Sequence, residues 1–173
     1  MAAGSEATSA TELAAVAGRL LKAKGEKLVT AESCTGGGVA EAVTAISGSS
    51  EWFDRGFVTY SNAAKQEMLR VSAATLASHG AVSEETAREM ALGALAASPG
   101  TVSVSVTGVA GPTGGTRAKP VGMVCFAWAR SGEAVPRSET RHFSGDRESV
   151  RRQSVVRALQ GIAELLDDGG ARP

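Results

Sequence analysis

Apolar and polar positions along the chain follow two spacings, one helical and one extended. Leu13, Val16, Ala17, Leu20 and Leu21 recur at three- and four-residue intervals, the period of a helix with one buried face. Ser9-Ala10-Thr11-Glu12 ahead of them has the form of a capping box. Lys22 and Lys24 fall in the last turn, and Gly25 stops the helix. The short apolar run Lys27-Leu28-Val29 then predicts a strand, residues 30–38 a glycine-rich turn, and residues 39–46 a second helix closed by Ser47-Gly48-Ser49-Ser50.

The alternation continues downstream. Residues 53–60 predict a strand that runs into Ser61-Asn62, a helix-start pair, and a helix over 63–69 with Lys65 in its first turn. Residues 72–78 predict a short helix. Ser83-Glu84-Glu85 opens a longer one, with Ala87, Met90, Ala91, Ala94 and Leu95 on one face, and Pro99-Gly100 breaks it. Residues 101–106 alternate Val with Thr or Ser, a strand pattern. A second glycine-rich loop, 107–115, continues through Lys119-Pro120. Residues 121–129 predict a strongly apolar strand, paired through Ser131-Gly132 with residues 135–143 as a hairpin. Ser144-Gly145-Asp146 caps a last helix with Val155, Leu159, Ile162, Ala163 and Leu166 on one face. About five strands interleaved with helices predict an α/β fold, with helices on both faces of a mostly parallel sheet that the final hairpin makes mixed. Ligands in such sheets sit beyond the carboxyl ends of strands. Polar or glycine-rich segments follow Val29, occupy Tyr60-Ser61-Asn62 and span 107–115, so all three are expected to meet at one pocket.

Composition narrows this. The 173 residues suit one domain, expected over 9–166, with disordered tails at 1–8 and 167–173. Aromatics are 4% of the chain, so the core is expected to be Ala, Val and Leu. Eighteen basic and eighteen acidic residues cancel, which argues against nucleic acid or a membrane surface as partner. No apolar run approaches the roughly 20 residues that span a bilayer. The N-terminal residues lack the basic and apolar regions of a signal peptide. The two cysteines, Cys34 and Cys125, have no metal-type spacing, so neither a disulfide framework nor a metal site is expected and a cytoplasmic location fits. Helices this rich in Ala and Val suit a homo-oligomer interface.

Candidate chemistry concentrates at Thr30-Ala31-Glu32-Ser33-Cys34-Thr35-Gly36-Gly37-Gly38. The turn gathers a hydroxyl, a thiol, a carboxylate and backbone N–H groups at a helix start, a place that favours developing negative charge. Common motifs do not fit it. No Lys-Ser/Thr follows the glycines as in a P-loop, and Glu41 stands where the dinucleotide pattern needs its last glycine. Ala31 and Thr35 flank Ser33 where a hydrolase elbow has glycines, and Gly36 stands where S-x-x-K has lysine. His79 falls in a helix-terminal region and His142 near a strand end; a Ser-His-Asp triad stays open, but both read better as surface or packing residues.

Taken together, these segments resemble the C-terminal domain family of the competence/damage-inducible protein CinA. The likeness is carried by residues 30–37, Gly48-Ser49-Ser50, Gly56-Phe57-Val58-Thr59-Tyr60-Ser61-Asn62 with Lys65, and His79-Gly80-Ala81-Val82-Ser83. It continues through Gly108-Val109-Ala110-Gly111-Pro112, Lys119-Pro120-Val121-Gly122 and Phe143-Ser144-Gly145-Asp146-Arg147, covering roughly residues 13–166. Stand-alone members of the family are nicotinamide-nucleotide amidases. The resemblance therefore implies a three-layer α/β/α fold and hydrolysis of nicotinamide mononucleotide to nicotinic acid mononucleotide and ammonia, without a cofactor. One departure is visible: Thr113 stands after Gly-Pro where the family often has Asp, removing a carboxylate that a metal or ribose role would use.

The resemblance also implies a Ser–Tyr–Lys set. Ser33 is then the nucleophile, Lys65 the base once burial or neighbouring charge lowers its pKa, and Tyr60 a relay or orienting group. Cys34 is the rival nucleophile, since a thiol at a helix start can ionise more easily; otherwise it is packing. Backbone N–H groups around Thr35, Gly36 and Gly37 are candidate oxyanion donors. Arg147, with its fork geometry, suits the substrate phosphate, and Asn62, Thr107 and Gly108 complete the substrate-binding set. Arg151 and Arg152 read as a solvated face or subunit contact. The competing reading is a non-catalytic nucleotide-binding or sensor module with the same pocket.

Overall fold

The computed structural model describes residues 8–167. Of the tails expected at 1–8 and 167–173, residues 1–7 and 168–173 lie outside the described residues; Asp167 closes the last helix instead of belonging to a tail. Five strands form one sheet: β1 (Leu28–Glu32), β2 (Phe53–Val58), β3 (Val102–Gly108), β4 (Met123–Arg130) and β5 (Arg137–His142), in the spatial order β2-β1-β3-β4-β5. β1 pairs in parallel with both β2 and β3, while β3–β4 and β4–β5 are antiparallel. Only β4 therefore runs against the other four, and the sheet is mixed as expected.

Six α-helices cover the two faces. α1 (Ala10–Lys24), α2 (Gly38–Thr44) and α6 (Arg147–Asp167) pack together on one side; α3 (Asn62–Leu69), α4 (Ala73–His79) and α5 (Glu84–Ala96) lie on the other. The caps predicted at Ser9, Gly25, Ser61 and Ser83 form. Ser9 and Glu12 close a reciprocal capping box, Gly25 takes φ 66° at the end of α1, and the Ser61 and Ser83 hydroxyls accept an N–H at the start of α3 and α5; Ser72, expected inside its helix, caps α4 in the same way.

The larger core joins Leu21, Trp52, Val104, Phe126, Leu159 and Ile162 beneath α1, α2 and α6. Phe126 and Trp128 stack with centroids 5.7 Å apart, and the Trp128 indole N–H donates to the Ala158 carbonyl. On the other face, Val29, Leu69 and Met90 pack under α3 and α5.

Two features of the sheet matter for the site. Residues Val102 to Thr107 of β3 are all buried, on the Ser side as well as the Val side. The Ser103 and Ser105 hydroxyls donate to the Ala91 and Ala87 carbonyls, so α5 sits directly on the polar side chains. In addition, Thr30, Ala31 and Glu32 belong to β1, not to the turn. β1 has hydrogen-bonded neighbours on both edges, Val58 and Val106 pairing with Glu32, so the strand holds its extended form up to Ser33.

Candidate active site

The polypeptide after β1 must leave the sheet and enter α2 within five residues. Gly36 and Gly37 make that possible, with φ 58° and 105°, conformations that a Cβ disfavours. Glu32 organises the turn from beneath. It is buried, and its carboxylate accepts the Thr35 hydroxyl at 2.6 Å and the Val39 and Ala40 N–H groups at 2.8 and 3.1 Å. Since Gly37 has no side chain to cap α2, Glu32 supplies that cap from the strand. Ser33 is pinned to β3 by its N–H, which donates to the Val106 carbonyl at 2.9 Å.

Above this turn lies a cavity of about 300 Å³ at the carboxyl ends of β1, β2 and β3, where the sequence placed it. Ser33, Tyr60, Asn62, Lys65, Thr107, Gly108 and Arg147, all candidates from sequence, line it. The Lys65 Nζ is 3.0 Å from Ser33 Oγ and 2.8 Å from the Thr59 carbonyl. Lys65 is 1% exposed, and burial lowers its pKa from the ordinary value. Among the described residues no carboxylate forms a salt bridge with it.

Tyr60 is placed differently from the relay expected of it. It is 62% exposed, and its hydroxyl accepts from Arg147 Nη2 at 2.9 Å. Arg147 Nη1 donates to the Gly111 carbonyl at 2.7 Å, so the guanidinium spans the mouth between the β2 and β3 loops. The Thr107 hydroxyl donates to the Ala81 carbonyl and ties β3 to the loop before α5. Gly108 is tight because a Cβ there would stand 2.8 Å from the Met123 carbonyl.

Thr35, Gly36 and Gly37, the oxyanion candidates, do not line the cavity. Gly36 gives its N–H to the Ser33 carbonyl, and the Thr35 side chain is turned toward Glu32. Cys34 borders the cavity but packs into the core beneath α1 and α2, and burial pushes its thiol up to about 12, so it stays protonated at neutral pH. His79 and His142 are exposed and do not line the cavity. No group of three or more His, Cys, Asp or Glu among the described residues is arranged to hold a metal ion.

Ser33, the buried Lys65 and the glycine turn sit on a backbone with known relatives. The family model of the CinA C-terminal domain matches residues 10–166. The chain belongs to the CinA C-terminal domain family. It is 55% identical over 152 residues to the nicotinamide-nucleotide amidohydrolase PncC of Escherichia coli, covering 87% of this chain and 91% of that one. The protein of the same name from Pseudomonas putida is 50% identical over 155 residues, covering 90% and 96%. The crystal structure of a CinA superfamily protein from Klebsiella pneumoniae superposes with a TM-score of 0.89 at 39% identity, covering 93% of this chain and 99% of that one. The match spans the α/β/α domain from α1 to α6, and no described helix is long and apolar enough to cross a membrane.

One residue that touches the turn escapes the sequence reading: Arg151, read as a solvated face or subunit contact, whose guanidinium donates to the Cys34 and Thr35 carbonyls. That arrangement has no pattern in the linear sequence.

Proposed function

We propose that this protein is a nicotinamide-nucleotide amidase that hydrolyses the carboxamide of nicotinamide mononucleotide, releasing ammonia and nicotinic acid mononucleotide. The reading rests on the 3.0 Å contact between Ser33 Oγ and the buried Lys65 Nζ, in a chain whose 50–55% identical relatives are named for that activity.

An amide resists water because its carbonyl carbon is a weak electrophile and its nitrogen a poor leaving group. Neutral Lys65 removes the Ser33 proton as Oγ attacks the carboxamide carbon. Lys65, now an ammonium, returns its proton to the nitrogen, the C–N bond breaks and ammonia leaves. Water then attacks the acyl-Ser33 ester with Lys65 again accepting a proton. Acid product departs and Ser33 is restored. Arg147, presented by Tyr60 and the Gly111 carbonyl, faces the phosphate at the cavity mouth. Asn62, Thr107 and Gly108 border the nucleotide, and no residue role requires a metal or cofactor.

The test is purified protein with nicotinamide mononucleotide, following ammonia and the acid product, beside Ser33→Ala. The expected result is turnover by the parent chain, and binding without turnover by the variant. Near-normal ammonia release from Ser33→Ala would sink the covalent scheme; a parent chain that binds the nucleotide but releases nothing would favour the sensor reading.

A further inference from the structure

We propose that the Tyr60 ring recognises a cationic pyridine: the cavity selects nucleotides whose ring carries a positive charge over the same nucleotides with a neutral ring. The inference deepens the amidase reading and rests on it, by naming what the site requires of the ring between carboxamide and phosphate.

Tyr60 is tied to both ends of the cavity. It directly follows Thr59, whose carbonyl accepts from Lys65 Nζ at 2.8 Å, beside Ser33. Its own hydroxyl accepts from Arg147 Nη2 at 2.9 Å, at the mouth. The aromatic ring therefore spans the interval between the reacting end and the end that faces the phosphate. In nicotinamide mononucleotide the pyridinium fills the same interval, because the ring bears the carboxamide on a carbon and the ribose phosphate on its nitrogen. The two rings run side by side when the carboxamide is at Ser33 and the phosphate at Arg147.

The charge on the pyridinium meets no anion there. Among the described residues no Asp or Glu lines the cavity. Glu32 lies beneath the turn, where its carboxylate accepts from Thr35, Val39 and Ala40. Asp146, next to Arg147 in the chain, accepts the Ser149 N–H. The basic groups of the lining are Lys65 and Arg147, so by charge alone the cavity would prefer a neutral ring. The attraction left for a cation is an aromatic face, whose π electrons are its negative side. Tyr60 is the one aromatic residue that lines the cavity, and the one tyrosine of the chain.

That face is free. Tyr60 belongs to none of the three hydrophobic clusters of the described residues. Arg147 meets the hydroxyl, at the edge of the ring; the guanidinium found over a ring is that of Arg157, on Trp128. One residue thus does two things: its hydroxyl sets Arg147 for the phosphate, and its ring receives the pyridinium.

The experiment measures binding by calorimetry to Ser33→Ala, in which turnover is stopped. The ligands are nicotinamide mononucleotide and its reduced form, which keeps the phosphate, ribose and carboxamide on an uncharged dihydropyridine ring. The expected result is tighter binding of the charged ring by roughly three- to thirtyfold, the span of a cation on an exposed or a desolvated aromatic face. Adding Tyr60→Phe weakens both ligands alike and preserves the ratio, because the ring remains. Adding Tyr60→Leu brings the ratio to one or below. The inference is overturned by equal or tighter binding of the reduced form to Ser33→Ala, or by a preference for the charged ring that survives Tyr60→Leu. Should the variant with Tyr60→Leu fold poorly, the ratio in Ser33→Ala decides. A parent chain that releases no ammonia removes the amidase reading and this inference with it; an active parent chain without the charge preference removes this inference alone.

Discussion

Lys65 Nζ stands 3.0 Å from Ser33 Oγ, although the two residues are 32 positions apart and lie on different elements. Lys65 comes from the first turn of α3, and Ser33 from the end of β1. The second anchor of the amine is the Thr59 carbonyl, whose own N–H donates to the Glu32 carbonyl. Strand pairing between β1 and β2 thereby sets the distance between Lys65 and Ser33.

That contact predicts a pH profile. Burial lowers the Lys65 pKa from 10.5, and only the neutral amine accepts the Ser33 proton. Activity is therefore expected to fall as pH drops through the lowered pKa and to reach a plateau above it. The log of kcat/KM against pH, measured with saturating and limiting substrate, gives that limb directly. Lys65→Arg should abolish turnover, because guanidinium does not deprotonate in this range. A profile flat across the acid side would remove Lys65 as the base.

The same burial predicts a stability effect with the same sign in pH as the activity effect. Between the folded pKa and 10.5, the unfolded chain binds a proton that the folded chain lacks. Stability thus rises with pH across that window and bears the full cost of a buried ammonium below it. Lys65→Met, similar in length and free of charge, is expected to raise the thermal midpoint at neutral and lower pH while eliminating activity. Each kcal/mol relieved corresponds to roughly 2–4 °C for a chain of this size. Differential scanning calorimetry at several pH values checks both the sign and its disappearance near the upper end of the window.

Arg147 and Tyr60 should act on binding. Arg147→Ala is expected to raise KM for the mononucleotide by roughly tenfold or more, the scale of one charge-assisted contact, and to leave nicotinamide riboside nearly unaffected. Tyr60→Phe removes the hydroxyl that accepts from Arg147. It is expected to give a smaller KM increase and the parent acid limb in the pH profile. A shifted acid limb in Tyr60→Phe would restore the relay role for this tyrosine.

A fourth prediction concerns packing that positions the base. A Cβ on Gly93 of α5 would lie 2.0 Å from the Leu69 carbonyl at the end of α3, with backbone atoms that cannot swing aside. Gly93→Ala is expected to destabilise by about 1–3 kcal/mol, the usual cost of overpacking. Because α3 carries Lys65, kcat should fall as well, which a urea titration and an assay on the same preparation would reveal.

Local chemistry determined much of this protein before any folding was known. The Ser9, Ser61 and Ser83 caps, the Gly25 stop and the buried face of α5 each follow from side-chain spacing within a few residues. Their sum gives the order of strands and helices, and hence the end of the sheet where the loops after β1, β2 and β3 gather. Sequence also supplied Ser33, Tyr60, Lys65 and Arg147 through the family resemblance, though not their contacts. What the tertiary structure decided is long-range. Strand order determines that β1 lies between β2 and β3, which extends it to Glu32 and buries the polar face of β3. Only packing brings Arg151 to carbonyls 116 and 117 residues away, places Tyr60 on Arg147 instead of Lys65, and turns Thr35 toward Glu32. Hydrophobic period is a property of neighbours along the chain; hydrogen-bond partners across a sheet are set by the closure of the whole core, and no local pattern encodes them.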